Sequence, residues 1–100
     1  MPFDYLVDND KQAAQDLARQ CDMVVVVGGA NSNNTRELVN TCSGHCARVH
    51  HVQTEADLQP EWFVAADTVG LTAGTSTPDE VIDRTDRRIR ELAGGIRRPE

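Results

Sequence analysis

Apolar and polar positions along the chain alternate between two periods. Over residues 9–20, Ala13, Ala14, Leu17 and Ala18 share one helical face, with Gln and Asp opposite. Asp8 or Asn9 is a competent cap for that helix. Residues 22–28 form a continuous, β-branched apolar run, the pattern of a parallel strand covered on both faces. Gly28-Gly29 breaks it. A second helix is expected from Asn34, because Asn34-Thr35-Arg36-Glu37 has capping-box spacing. Leu38, Val39 and Cys42 form its inner face, and Gly44 ends it. Residues 47–52 read as a second strand, less apolar because of His50 and His51. Residues 54–57 and 60–63 read as short helical turns, with Trp62 and Phe63 packing the latter onto the sheet. Residues 68–72 read as a third strand. Thr77-Pro78-Asp79-Glu80 opens a last helix, with Thr77 as cap, Pro78 in the first turn and Glu80 closing the box. Val81, Ile82, Thr85, Ile89 and Leu92 make its buried stripe, and Gly94-Gly95 stops it, leaving 94–100 as a loose tail. Residues 1–8 are ambiguous: 3–7 suit either an additional edge strand or a disordered segment.

Strands alternating with helices imply parallel strands joined by right-handed crossovers. The expected class is therefore α/β: a three- or four-stranded, mostly parallel sheet with helices on both faces. The 100 residues suit a single domain spanning 1–100. Hydrophobic residues make up 39% and aromatics only 4%, so the core must be built from Val, Leu, Ile and Ala.

A net charge of −6 argues against a general nucleic-acid binder, whose affinity rests on neutralising phosphates. Six of the ten basic residues (Arg84, Arg87, Arg88, Arg90, Arg97, Arg98) lie in the last 17 positions. They read as the solvated face and tail of a terminal helix, with phosphate binding as the alternative. No apolar run approaches the ~18 residues of a membrane span, and no basic-then-apolar leader opens the chain. The expectation is a soluble, cytoplasmic protein without nucleic-acid or membrane partners. Cys21, Cys42 and Cys46 form no disulfide framework. Cys42-Ser43-Gly44-His45-Cys46, near His50 and His51, raises a zinc reading, but a buried, inert Cys42 suits its inner-face position better.

The candidate chemistry lies in two loops. Gly28-Gly29-Ala30-Asn31-Ser32-Asn33-Asn34 follows the first apolar strand, and Thr72-Ala73-Gly74-Thr75-Ser76-Thr77 follows the third. Ligands of open parallel sheets gather at this carboxyl edge. Glycines admit close backbone approach, helix N-termini favour anions, and Ser, Thr and Asn add neutral donors. Together the loops suit phosphate oxygens without a lysine. The competing reading is that these residues only cap helices and fill turns. Neither a Walker A loop nor a Gly-x-Gly-x-x-Gly fingerprint is present.

"CDMVVVVGGANSNNTREL" followed by "DTVGLTAGTSTPDEVI", with "QPEW" between them, resembles the C-terminal lobe of the 4-hydroxy-3-methylbut-2-enyl diphosphate reductase family over residues 9–93. The resemblance implies an oxidoreductase of the non-mevalonate isoprenoid pathway, with three lobes around a [4Fe-4S] cluster held by one cysteine from each. It implies that an isoprenoid diphosphate is gripped by Ser32, Asn33, Asn34 and Ser76, with Asn33 standing where the family has a second serine. It places Tyr5 at the position of this lobe's cluster cysteine, because Lys11-Gln12 matches the family's Arg-Gln. A phenol is not a usual ligand for a cluster held by thiolates. The expectation is therefore a truncated or split lobe, with no metal or cluster of its own and no catalytic residue. It would be inactive alone and completed, if at all, by a partner chain supplying the missing lobes. The alternatives are a stand-alone phosphate- or diphosphate-metabolite-binding module and an interaction domain for such a partner.

Overall fold

The computed structural model describes residues 4–7, 13–29, 31–63, 68–74 and 77–93. Four strands, β1 (Asp4–Val7), β2 (Met23–Val27), β3 (Arg48–Val52) and β4 (Thr68–Ala73), form one sheet in the order β1-β4-β2-β3. Every pairing is parallel. The expected α/β class is borne out with four strands, and the ambiguous segment supplies edge strand β1.

Strand β2 lies inside the sheet, and its alternating side chains feed two cores. Met23, Val25 and Val27 join Val52, Leu58, Phe63, Val69, Leu71, Ala73 and Ile89 on one side. Val24 and Val26 join Leu17, Ala18, Leu38, Cys42 and Cys46 on the other. All five β2 side chains are fully buried, each contributing about 1.5–3 kcal/mol of transfer free energy. Helices α1 (Ala13–Gln20) and α2 (Asn33–Ser43) cover the second side. Helix α3 (Asp79–Ala93) and 3-10 turns at Glu55–Asp57 and Pro60–Phe63 cover the first. The buried stripe of α3 follows the expected positions: Ile89 and Thr85 are fully buried, and Val81, Ile82 and Leu92 pack at its margin.

Two helix starts differ from the sequence expectation. Helix α2 begins at Asn33, and its cap is Ser32, not Asn34. Ser32 takes an extended conformation (φ −81°, ψ 123°), and its Oγ accepts the Thr35 N–H at 3.3 Å. A serine one residue earlier caps as well as an asparagine, and the two asparagines then enter the first turn. Helix α3 begins at Asp79, with the Pro78 carbonyl accepting from the Val81 and Ile82 N–H groups at 3.1 Å. The Thr77 hydroxyl, expected as the cap, instead donates to the Val27 carbonyl at 3.2 Å. Gly44 ends α2 as expected, in a right-handed conformation. Residues 9–12 of the expected first helix and the 94–100 tail lie outside the described residues. Among the described residues no helix is long and apolar enough to cross a membrane.

Candidate functional site

Strands β2 and β4 end level with one another, Val27 opposite Ala73. Gly28 and Gly74 therefore leave the sheet side by side. The Val27 carbonyl accepts both the Gly74 N–H at 3.1 Å and the Thr77 hydroxyl. The Gly28 N–H donates to the Val52 carbonyl at 3.0 Å, and the Thr77 N–H to the Gly74 carbonyl at 3.0 Å. The two polar loops thus meet at the carboxyl edge of the sheet.

Thr35 seals the junction. It is 1% exposed, in the first turn of α2. A Cβ added to Gly28 would overlap its Oγ1; one added to Gly74 would lie 2.5 Å from Thr35 Oγ1 and 3.2 Å from Asn34 Oδ1. Both glycines are required by this close approach of helix to strand ends. Thr35 Oγ1 is buried without a hydrogen-bond partner among the described residues, and so is Oγ1 of fully buried Thr72 on β4. A buried orphan hydroxyl is costly, on the order of 1–3 kcal/mol.

The charge pattern at this helix start is also distinctive. The first turns of α1 and α3 carry Asp16 and Asp79-Glu80, which complement the helix dipole. The first turn of α2 carries no carboxylate. Arg36 follows Thr35 and lines a cleft of about 320 Å³ with Thr35, Val39, Asn40 and His51. The His51 Nε2 lies 2.9 Å from the Gly28 carbonyl oxygen. The positive end of α2 thus has a carboxylate-free first turn and the Arg36 guanidinium beside it, an arrangement suited to an anion.

Of the residues singled out in the sequence, Ser32 is half-buried at the cap, Asn33 is exposed, and Asn34 is half-buried and leans toward Gly74. Ser76 lies outside the described residues. Thr35 enters the sequence reading only within the capping-box spacing and His51 only beside the zinc reading, neither as part of this edge. The signal for Thr35 is its place directly after the asparagines. Nothing in the sequence points to His51, because only the β2–β3 register (Val26 opposite His51) carries it to the glycine loop.

The cysteines lie at the opposite edge of the sheet. Cys21 precedes β2, Cys46 precedes β3, and Cys42 sits in the last turn of α2, all three free and buried. Burial first, then the neighbouring Cys46, pushes the Cys21 thiol up to about 12 and the Cys42 thiol up to about 11. The Cys46 thiol donates to the Cys21 carbonyl at 3.3 Å. Iron–sulfur ligation needs accessible thiolates, so three enclosed thiols, with those of Cys21 and Cys42 pushed up by burial, do not fit a cluster. Tyr5 stands on β1, in register with Val69. Among the described residues no three His, Cys, Asp or Glu side chains converge on a metal-sized site. The arginines of α3 serve its solvated face: Arg84 pairs with Glu80, Arg88 with Glu91 and Arg90 with Asp86, all on exposed helix surface. Arg97 and Arg98 lie outside the described residues.

Known proteins resemble this chain in both sequence and fold. The family model described as LytB protein matches residues 5–90. A 4-hydroxy-3-methylbut-2-enyl diphosphate reductase from Anaeromyxobacter sp. is 50% identical over 91 residues, covering 90% of this chain and 31% of that protein. One from Pelobacter propionicus is 48% identical over 82 residues, covering 82% of this chain and 29% of that protein. A solved structure of (E)-4-hydroxy-3-methyl-but-2-enyl diphosphate reductase, the terminal enzyme of the non-mevalonate pathway, superposes with a TM-score of 0.77 at 38% identity. It covers 81% of this chain and 29% of that one. The chain therefore spans 29–31% of the length of these relatives. A family match over residues 5–90, joined to a shared fold, establishes that the chain belongs to the LytB family and resembles part of its reductase.

Proposed function

We propose that this chain is a diphosphate-binding lobe of the reductase family, holding the diphosphate of an isoprenoid substrate at the start of α2. The observation that carries the reading is the carboxylate-free first turn of α2, set over the paired glycines with the orphan Thr35 hydroxyl buried beside it. Backbone N–H groups and the helix dipole attract the anion. Ser32 contributes from the cap of α2, Asn33 and Asn34 from its first turn, and Ser76 from the second loop. The role is to bind and orient. The reading gives this chain no redox step of its own, because its three buried cysteines lie at the far edge of the sheet and burial pushes the Cys21 and Cys42 thiols up. Three free cysteines suit a reducing, cytoplasmic setting.

The test must separate ligand binding from helix capping, since Ser32 performs the latter. Ser32→Asp keeps a competent cap that also suits the dipole, yet places a carboxylate where the diphosphate would sit. Calorimetric titration with inorganic pyrophosphate and dimethylallyl diphosphate should show binding that weakens as salt rises. Ser32→Asp should retain the thermal midpoint and weaken binding at least ~10-fold, the effect of ~1.4 kcal/mol. Undiminished affinity in Ser32→Asp, or no binding by the unsubstituted chain, would refute the reading.

A further inference from the structure

We infer that His51 is a positioning residue for this anion site: it holds the Gly28 carbonyl and so turns the Gly29 N–H outward as a donor. The inference rests on the diphosphate reading of the loop and extends it to a residue on a different strand.

A carbonyl only accepts, so the 2.9 Å contact requires the proton on the His51 Nε2. The neighbouring residue, Val52, accepts the Gly28 N–H at 3.0 Å. Consecutive residues of β3 therefore fix the two peptide planes flanking Gly28. Without these bonds a glycine there would be free to reorient both. One residue further on, the Gly29 carbonyl accepts the Ser32 N–H at 3.1 Å, which ties the loop to the helix cap. The peptide between Gly28 and Gly29 is planar and trans, so its N–H points opposite to the carbonyl that His51 holds. Gly29 is exposed, nothing lies within 4 Å of where its Cβ would stand, and its N–H has no partner among the described residues. A rigid, outward N–H one turn before a helix N-terminus is a donor waiting for an anion.

The test compares His51→Gln, whose amide can still donate, with His51→Leu, which cannot. The Gly29 amide resonance reports the bond on its own peptide, and calorimetry with inorganic pyrophosphate reports the site. The expected result has three parts. The unsubstituted chain shows the Nε2–H tautomer in nitrogen-15 spectra. His51→Leu shifts the Gly29 resonance and weakens pyrophosphate binding about fivefold, the usual effect of one hydrogen bond. His51→Gln stays within about twofold of the unsubstituted chain, and both variants keep their thermal midpoints. Unchanged affinity in His51→Leu, or equal losses in both variants, would overturn the positioning role. An unmoved Gly29 resonance in His51→Leu would overturn the contact itself. Failure of the unsubstituted chain to bind pyrophosphate would refute the anion site as a whole, and the Gly29 resonance would distinguish that from a failure of His51 alone.

Discussion

Thr35 sits where the backbones of two strand ends and a helix come closest, and its neighbours have no room to grow. Adding one methyl at Gly28 drives it into Thr35 Oγ1, and overpacking of this kind costs about 1–3 kcal/mol. Gly28→Ala should lower the unfolding free energy read from urea denaturation by that amount. In the double variant Gly28→Ala/Thr35→Ala most of the loss should return, because the obstructing group is gone. The coupling read from the double-mutant cycle is the check, and additive losses would mean that the clash lies elsewhere. At this scale the sequence was only partly legible. It marked Ser32, Asn33 and Asn34 as polar groups at a strand end, but three consecutive cap-competent residues cannot show which one caps. The overlap between Thr35 and the glycines depends on the level ending of β2 and β4, a property of register.

Among the elements, β3 carries the most polar chemistry. Its His50 ring stacks on Trp62, with centroids 3.9 Å apart and planes 7° from parallel. Arg48 donates to the Trp62 carbonyl at 3.0 Å. Trp62 thus packs its turn through an edge-strand histidine, a more specific arrangement than general packing onto the sheet. Burial, and then the Arg48 guanidinium, hold the His50 imidazole below its usual range. The unfolded chain therefore binds the proton more readily than the folded one, so this group makes stability rise with pH. Its contribution is complete above the unfolded value near 6.5 and is lost as pH falls through the lower folded value. His50→Phe keeps a ring on Trp62 and removes the titration. The fall in thermal midpoint between pH 7.5 and pH 5.5 should be smaller in this variant than in the unsubstituted chain; identical falls would exclude His50 as a source. Element order and type were legible because each segment keeps one period throughout. The last helix start was not, since Thr77 is drawn off by a carbonyl on a strand fifty residues away in sequence.

Across the whole molecule the two edges of the sheet have different chemistry. The carboxyl edge is glycine-rich and suited to anions; the amino edge encloses three thiols. The raised Cys21 and Cys42 thiols should resist a thiol-specific disulfide reagent at pH 8 until the fold opens. Labelling should follow the urea unfolding curve, and rapid labelling in buffer would show that these cysteines are accessible. The parallel class was readable from the alternation of strands and helices. The strand order was not, because nothing in the local pattern of residues 4–7 names β4 as a partner.

The placing of β1 bears on how the chain assembles. Its only partner among the described strands is β4, roughly sixty residues later in sequence. Strands β2 and β3, joined through α2, close a much shorter loop and lie side by side. Loop-closure entropy therefore favours the β2–α2–β3 unit as the early nucleus, and β1 docks only once β4 is in place. Strand β3 is the other edge and also has one neighbour among the described strands, but only β3 is tied to that neighbour by a short crossover, so β1 is the edge held less by chain connectivity. The segment bearing Tyr5 is thus the last to join the sheet and the first to leave it.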